Sequence, residues 1–290
     1  MSPLEAIQGI LEREEYGSVV TFVDGPDLGS KVVIDSSGKV VAGRFPPGVD
    51  PEMTADALVL MDHEQHRAME YPPHTVFIES LAPPQEMVIV GAVHIGQALA
   101  SFAAQMGYRV TVIDSRAAFA TAERFPNARI LVGWPEKVIG QVTLDRRTWV
   151  VILSHTPPHE DPVLEAALKS PVRYIGCMGS RRTQDLRLGR LRAMGFSEED
   201  IARVRGPVGL DIGAESPQEV AVSILAEMTM VRYGHGTGLS LHGIEGRVHK
   251  QRPEDEVSPP EGGSIGAAGE GGFVSPPGDR AQPGANTLSR

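Results

Sequence analysis

The chain is poor in cysteine and contains no long apolar run. Cys177 is the one cysteine among 290 residues, which excludes an internal disulfide framework and a cysteine-rich zinc site. Gly, Pro or a charged residue interrupts every apolar stretch before it reaches the length of a membrane span. The first residues, MSPLEAIQGILEREEYG, predict a short amphipathic helix rather than a signal peptide. We therefore expect a cytoplasmic protein that does not insert into a membrane.

Positive charge is also scarce. Lys and Arg total 27 against 37 Asp and Glu, which gives a formal net charge of -10 at pH 7. Binding to nucleic acid depends on clustered Lys and Arg that neutralise phosphates, so we expect no nucleic-acid partner. The remaining composition is that of an ordinary globular protein, with 41% hydrophobic and 22% charged residues, and the length allows one large or two modest domains.

The order of the patterns along the chain predicts an α/β fold. Residues 17–43 alternate in the manner of β-strands, 54–70 favour a helix, and 74–80 favour another strand. Beyond the prolines at 83 and 84, apolar runs alternate with helical patterns, as is typical of a doubly wound parallel sheet with strands buried on both faces. These strands are predicted over 87–91, 109–115, 128–133, 148–155 and 173–179.

Three regions follow from this pattern. Residues 1–82 form a small β-rich N-terminal domain, and residues 83–235 form a Rossmann-like parallel-sheet domain. Residues 236–290 are dominated by Gly, Pro, Ser and charge, so we predict a disordered tail there.

The stretch MVIVGAVHIGQAL, residues 87–99, is the first candidate binding site. A strand runs into Gly91 and a helix begins near His94, which is the layout of a phosphate-facing turn. The fingerprint G-x-G-x-x-G matches at Gly91 and Gly96, but Val93 occupies the middle position. A side chain there would push a phosphate outward and remove a backbone contact worth roughly 1.5 to 3 kcal/mol, so binding is expected to be weakened or redirected.

Charged residues follow the next predicted strand. Asp114 lies where an acidic residue would accept hydrogen bonds from ribose hydroxyls, which favours an unphosphorylated ribose such as that of NAD. Arg116 could instead bind a phosphate. Both NAD and NADP therefore stay open as ligands of a nucleotide site.

Three later loops follow strands and offer further candidates. In SHTPPHEDP, His155 is a candidate ligand contact, Asp161 and Pro162 are predicted to start a helix, and His159 has solvent exposure as its simplest interpretation. In GCMGSRRTQ, backbone N–H groups and guanidinium charge predict an anion site, with a protein carboxylate as the alternative counter-charge. Its residues are Gly179, Ser180, Arg181 and Arg182.

The last of these loops is acidic, and one possible metal motif is incomplete. In GPVGLDIGAESP, Asp211 could form an acidic wall of the cleft. The segment His63-Glu64-Gln65-His66 is one residue short of the helical zinc motif, so a solvated helix face is the better interpretation. We assign no metal ligand and no catalytic residue.

Five segments resemble a known family. In chain order they are GAVHIGQALA, VTVIDSRAAFATAERFP, SHTPPHEDPVLEAAL, YIGCMGSRRT and GPVGLDIGAESPQEVAVSILAE. Together they closely resemble the Rossmann-like domain of the XdhC/CoxI family, the accessory proteins of xanthine dehydrogenase and related molybdenum hydroxylases. The likeness covers about residues 77–233, and GSRRT followed by the GLDIGA segment is far more specific than a single glycine motif.

The resemblance implies a maturation factor rather than a turnover enzyme. Such a protein binds the molybdenum cofactor or its precursor, assists its sulfuration and delivers it to the apo-enzyme of a molybdenum hydroxylase. The turn 91–96 and the loop 180–183 would then suit the phosphate of a pterin ligand. A cysteine desulfurase is a further candidate partner, and we expect a homo-oligomer.

The chain departs from the family pattern at two places. Family members usually have G-A-G-H at the turn, where this chain has Val93 before the histidine. Their N-terminal domain usually contains G-x-x-P-R-x-x-G-x-K and a glycine-rich stretch ending in Cys, whereas this chain has DGPDLGSK and GRFPPGVD. Two alternatives therefore stay open, an NAD(P)-dependent oxidoreductase and a scaffolding homologue with a degenerate nucleotide site.

Overall fold

Two β-sheets organise the chain in the computed structural model, which describes residues 1–234 and 236–243. The first sheet is antiparallel, with strand order β3-β2-β1-β5-β4. Its strands are β1 Gly17–Asp24, β2 Lys31–Asp35, β3 Val40–Ala42, β4 Arg67–Tyr71 and β5 His74–Leu81. Two helices, α1 Pro3–Glu12 and α2 Asp50–Asp62, belong to the same region. This region, residues 1–81, is the N-terminal lobe.

Alternation along β1 buries both faces of the antiparallel sheet. Val19 packs in an apolar cluster with Ile10 of α1, and Val20 packs in a second cluster with Met53 of α2. Successive side chains of a strand point to opposite faces, so the two helices cover the two sides. The helix predicted over 54–70 is too long, because α2 ends at Asp62 and residues 67–71 pair with β5 as strand β4. Strand pairing here outweighs the local helical pattern.

The second sheet has six strands in the order β11-β10-β9-β6-β7-β8, and every neighbouring pair is parallel. Its strands are β6 Glu86–Val90, β7 Arg109–Asp114, β8 Ala128–Val132, β9 Thr148–Ile152, β10 Tyr174–Cys177 and β11 Val204–Arg205. The helices are α3 His94–Gln105, α4 Pro135–Val138, α5 Pro157–Leu168, α6 Arg181–Ala193, α7 Glu198–Ala202 and α8 Pro217–Tyr233.

Helices cover both faces of this sheet. On one face Ile89 packs with Leu99 of α3 and Ile224 of α8. On the other face Val88 and Leu164 of α5 belong to a second cluster of buried apolar residues. The strands are therefore apolar on both sides, which explains their continuous hydrophobic runs and confirms the predicted Rossmann-like fold.

The strand order places a topological switch point between β6 and β9. The chain builds the sheet from β6 through β7 to β8 in one direction, and then continues from β9 through β10 to β11 in the other. Ligands of open α/β sheets bind beyond the carboxyl ends of the strands at such a point. The fold therefore predicts a binding site at the ends of β6, β7 and β9.

The N-terminal lobe contacts the opposite, amino-terminal edge of the parallel sheet. Glu64, in the turn after α2, has a side chain only 5% exposed. It accepts hydrogen bonds from Gln85, Arg173 and Arg232, with oxygen–nitrogen distances of 2.6, 3.4 and 2.6 Å. The expected solvated helix face is thus wrong, because Glu64 is the counter-charge of two arginines of the parallel-sheet region.

A second group of ions supports the same contact. Arg109, the first residue of β7, donates to Glu14 of the N-terminal lobe at 2.7 Å, and Arg147 lies 3.6 Å from the same carboxylate. Gln85 also accepts a hydrogen bond from the indole nitrogen of Trp149 in β9. These residues of the parallel-sheet region all lie at or close to the start of a strand.

The described chain ends in a short turn. Residues 241–243 form a 3-10 turn, whereas residues 244–290, most of the predicted tail, lie outside the described residues. No helix among residues 1–234 and 236–243 is long and apolar enough to cross a membrane.

Candidate ligand-binding cleft

The turn between β6 and α3 depends on two glycines. Gly91 has φ +119°, in a region that L-residues with a side chain rarely adopt. A Cβ on Gly96 would lie 2.5 Å from the carbonyl oxygen of Gly91, so only glycine lets α3 start this close to the strand. The first and third glycines of the fingerprint therefore have the geometric roles that a dinucleotide turn requires.

Val93 differs in kind from these two positions. It is the N-cap residue of α3, with φ -82° and ψ 175°, which is extended backbone open to any residue. The turn therefore forms without a glycine here. The side chain lines the cleft described below, so the valine changes the surface offered to a ligand and leaves the path of the chain unchanged.

Asp114 fixes the turn from the end of β7. One carboxylate oxygen accepts from the backbone N–H of Ala92 at 2.7 Å and from a terminal nitrogen of Arg116 at 2.8 Å. The other accepts from the backbone N–H and the Nε of Arg116, each at 2.9 Å. Burial alone would raise the pKa of Asp114, but these hydrogen bonds outweigh it, so the pKa lies below its ordinary value. A ribose hydroxyl would have to compete with Arg116 for this carboxylate.

A cleft of about 300 Å³ opens at the carboxyl ends of β6, β7 and β9. It lies at the switch point of the sheet, where the fold predicts a ligand. Its volume is at the lower end of the range for small-molecule sites, about 300 to 1,000 Å³. The lining residues are Val90, Gly91, Val93, Ile113, Asp114, Ser115, Arg116, Leu153, Ser154, His155, Thr156 and His159.

His159 is held on several sides within this cleft, and no sequence motif selects it. Its Nδ1 lies 2.8 Å from the hydroxyl of Thr156 and its Nε2 lies 3.1 Å from the hydroxyl of Ser115. Its ring stacks on Trp134, with centroids 4.7 Å apart and planes inclined by 27°. The expectation of a simply solvent-exposed imidazole is therefore wrong, since three segments of the chain hold this ring in place.

The cleft is suited to an anion. Helices α3 and α5 both start at it, from Val93 and Thr156, and neither has a side-chain hydrogen bond at its N-cap. Helices α6 and α8, which start elsewhere, are capped by Ser180 and Ser216. The first N–H groups of a helix need an acceptor and favour negative charge. Only the start of α3 offers such N–H groups, because α5 begins with two prolines, which have none, and the N–H groups of His159 and Glu160 donate to the carbonyl oxygen of Thr156 at 2.9 and 3.1 Å. One uncapped helix start with free donors, that of α3, therefore lies beside a cleft whose one carboxylate is neutralised by arginine.

The start of α5 differs from the sequence-based expectation. The helix begins at Pro157, so Asp161 and Pro162 lie inside it rather than at its N-cap and first position. Pro157 supplies a φ suited to the first helical turn, and the helix accepts the loss of one backbone donor at Pro162. Asp161 instead pairs with Arg190 of α6 at 3.0 Å.

The structure brings only some of the predicted site residues together. Gly91, Val93, Asp114, Arg116 and His155 line the cleft. His94 is the exposed first residue of α3, and Gly96 is buried beneath the turn. Those that do not line it are His94, Gly96, Gly179, Ser180, Arg181, Arg182 and Asp211.

The GSRRT segment stands apart, at the carboxyl end of β10. Gly179 has φ +143° and Ser180 accepts from the backbone N–H of Thr183 as the N-cap of α6. Arg181 and Arg182 are exposed. In the part of the chain that the structure describes, no carboxylate pairs with either of them. The alternative counter-charge from the protein is therefore not found there, and an anion role for these arginines stays a prediction.

The carboxylates near α6 pair with other arginines. The Arg187 side chain is fully buried, and it donates to Glu160 at 2.8 and 3.2 Å and to the carbonyl oxygen of Met178 at 2.9 Å. This pair joins α5 to α6. Cys177 lies beside it, and burial raises the pKa of the Cys177 thiol to about 12. Local spacing carries no signal for this pair, because its members lie 27 residues apart.

The fold and cleft define a Rossmann-like protein with a candidate ligand-binding site at the switch point of its parallel sheet. Comparison with known families narrows this class. Residues 87–228 match the family described as the XdhC Rossmann domain. Through this domain the chain belongs to the XdhC family, as the resemblance in its sequence predicts.

Three curated relatives match a larger part of the chain. One is an uncharacterized Escherichia coli protein, YqeB, 31% identical over 78% of this chain and 40% of its own length. A Bacillus subtilis protein named as a probable component of xanthine dehydrogenase is 30% identical over 66% of this chain and 54% of its own. The E. coli molybdenum cofactor insertion chaperone PaoD is 34% identical over 65% of this chain and 52% of its own.

The chain spans about half the length of these relatives. Among solved structures, a Bacillus halodurans protein described as a xanthine dehydrogenase aligns with 83% of this chain and 98% of its own. The TM-score is 0.47 and the identity is 17%.

Proposed function

We propose that this chain is an accessory protein for a molybdenum hydroxylase of the xanthine dehydrogenase or CO dehydrogenase type. It binds the molybdenum cofactor, or a pterin or nucleotide phosphate of that kind, and assists its sulfuration and insertion into the apo-enzyme. The observation that supports this most is that the family match, residues 87–228, spans every residue that lines the cleft. The name of PaoD, a cofactor insertion chaperone, points the same way.

The residues present fit such a ligand. The uncapped start of α3 offers backbone N–H groups to a phosphate, and Arg116 lies on the rim with its side chain about half exposed. The chemistry of the molybdenum belongs to the recipient enzyme once the cofactor is bound there. In this proposal the side chains of the cleft bind and orient, and none is assigned a bond-breaking step.

The test is to purify the protein from cells that make the cofactor and to measure molybdenum and pterin per chain. The informative variant is Val93→Asp. An aspartate at the N-cap would cap α3 and stabilise it by about 1 kcal/mol, but it would place a negative charge where the phosphate is expected. We expect the variant to fold at least as well and to lose the bound cofactor, whereas Val93→Gly should bind it more tightly.

Arg181→Ala tests the separate GSRRT segment, with Arg192→Ala at the other end of α6 as the matched control. Retention of full cofactor in Val93→Asp would contradict the proposed site. Tight NAD binding with substrate-dependent reduction would replace the proposal with an oxidoreductase. Absence of any ligand, even in Val93→Gly, would favour a scaffolding protein.

A further inference from the structure

We infer that His159 is a stacking surface for a planar heteroaromatic ring in the cleft. The inference rests on the proposed function only because it uses the same cleft. It assigns a contact to the ring of the ligand, whereas the proposed function concerns the phosphate. It concerns a residue that sequence motifs did not select.

The hydrogen bonds of His159 restrict the roles that its ring nitrogens can have toward a ligand. Both ring nitrogens are engaged, by the hydroxyls of Thr156 and Ser115. These contacts lie at opposite sides of the imidazole, so they fix the orientation of its plane. A nitrogen held in this way is not available as a metal ligand, and it can act as an acid or base toward a ligand only after the hydroxyl moves.

The stacking of Trp134 on His159 leaves only one face of the imidazole uncovered by this contact. Trp134 covers one face of the imidazole at a centroid distance of 4.7 Å, which is within the range of favourable aromatic pairs. Because His159 also lines the cleft, the surface it offers there is the remaining face and edge of a ring that cannot turn. A rigid flat surface of this kind favours another flat ring, such as a pterin or a nucleobase.

The position of His159 agrees with the placement of the phosphate. The ring is contacted from the end of β7 by Ser115 and from the end of β9 by Thr156, while the glycine turn lies at the end of β6 between them. A ligand whose phosphate meets the start of α3 would therefore have its ring within the same small cleft. The volume of about 300 Å³ suits one ring system with its phosphate better than a complete dinucleotide.

The test compares His159→Ala with His159→Phe in isothermal titrations. The probes are neopterin, which has a pterin ring, cytidine and adenosine 5′-monophosphates, which have nucleobases, and ribose 5-phosphate, which has no ring. Stacking predicts that His159→Ala weakens binding of at least one ring-bearing probe by about 5- to 150-fold, while His159→Phe keeps most of the affinity. The affinity for ribose 5-phosphate should be unchanged. The ring type that responds identifies pterin or nucleobase as the source.

A spectroscopic signature accompanies the titration. Trp134 is 47% exposed and Trp149 is fully buried, so a ring-bearing probe should change the emission of Trp134 alone, and Trp134→Phe should abolish the change. His63→Ala, which removes a histidine of the N-terminal lobe that does not line the cleft, is the matched control and should leave the signal intact.

Three outcomes would overturn the inference. Equal losses in His159→Ala and His159→Phe would mean that the nitrogens matter rather than the plane. No loss in either variant, or no binding of any ring-bearing probe to the wild-type protein, would remove the stacking role. None of these probes contains molybdenum, so molybdenum retention by the wild-type protein still decides the proposed function separately.

Discussion

Gly96 shows how a single hydrogen atom in place of a side chain determines the geometry of the cleft. A Cβ at this position would lie 2.5 Å from the carbonyl oxygen of Gly91, and backbone cannot yield as a flexible side chain can. We expect Gly96→Ala to lower the free energy of unfolding by about 1 to 3 kcal/mol and to move the start of α3 away from the strand. Urea denaturation measures the first effect.

The control for this substitution is Gly189→Ala in α6. Nothing lies within 4 Å of a Cβ built there, and alanine favours a helix over glycine by roughly 0.5 to 1 kcal/mol. The two glycine-to-alanine changes should therefore have opposite signs. A similar loss of stability in both would refute the steric explanation.

Asp114 gives the cleft a dependence on pH. Its pKa is lowered in the folded protein because the hydrogen bonds from Arg116 and Ala92 favour the carboxylate, in spite of its burial. The hydrogen-bonded carboxylate stabilises the folded protein fully at pH values above the pKa that Asp114 has in the unfolded chain, about 4. This stabilisation is lost as the pH falls through the lower pKa that Asp114 has in the folded protein. We expect Asp114→Asn to cost about 1 to 3 kcal/mol near neutrality and progressively less below about pH 4.

The measurement is the free energy of unfolding of both proteins at pH 7 and at pH 3. Glu79→Gln, an exposed carboxylate in β5, serves as the control and should change little at either pH. A difference between wild type and Asp114→Asn that is the same at pH 7 and pH 3 would contradict the role given to the charge.

Some residues of the site could be predicted from the sequence and others could not. Gly91, Asp114 and Arg116 follow strands in a known order, so local spacing places them at one edge of the sheet. The role of His159 cannot be predicted from local spacing. Its partners Ser115 and Trp134 follow different strands, and only the fold brings them together. The same is true of the Glu160 and Arg187 pair, whose burial depends on the packing of two helices.

At the scale of elements, the turn after α2 joins the N-terminal lobe to the parallel sheet. Glu64 has φ +53°, an uncommon conformation for a residue with a side chain, and its carboxylate is the partner of both Arg173 and Arg232. Neutralising it leaves two mostly buried guanidinium groups without this counter-charge. We expect Glu64→Gln to cost on the order of 3 kcal/mol.

The loss should appear in the coupling of the two regions. Differential scanning calorimetry of the wild-type protein should give a single transition, and that of Glu64→Gln should give a lower and broader one, in which the N-terminal lobe unfolds first. Glu70→Gln in β4, where the carboxylate is exposed, is the matched control. An unchanged transition in Glu64→Gln would show that apolar contacts alone hold the lobes together.

The elements themselves were predicted unevenly. The strands of the parallel sheet are buried on both faces, so their apolar runs are visible in the sequence, and the antiparallel strands show alternation. The sequence pattern predicts a helix that continues to residue 70, whereas α2 ends at Asp62 and residues 67–71 pair with β5. Pairing with another strand is not encoded in a short local window, so periodicity alone could not predict β4.

At the scale of the whole molecule, the chain contains one thiol that could take part in sulfur chemistry. Cys177 is the one cysteine of the chain, it is fully buried, and burial raises the pKa of its thiol to about 12. A thiol in this state is a poor nucleophile. We expect no reaction of the native protein with Ellman's reagent at pH 8 and complete reaction in guanidinium chloride.

An unreactive thiol would determine how sulfuration is assisted. Under the proposed function, an unmodified Cys177 would mean that sulfur for the cofactor has to come from another protein, and the role proposed for this chain would be binding and presentation. Rapid modification of the native thiol would contradict the described burial. As a second test, Cys177→Ser and the wild-type protein should deliver the cofactor to the apo-enzyme equally well.

The placement of the N-terminal lobe has a practical consequence. The lobe contacts the amino-terminal edge of the parallel sheet, through Glu14 and Glu64, whereas the cleft opens at the other edge. The exposed turn at Ser36 and Ser37 lies in that lobe. A cysteine introduced at Ser36 or Ser37 would be an exposed thiol in a chain whose own Cys177 is buried, so a biotin coupled to it would anchor the protein on a sensor chip at a point outside the residues that line the cleft.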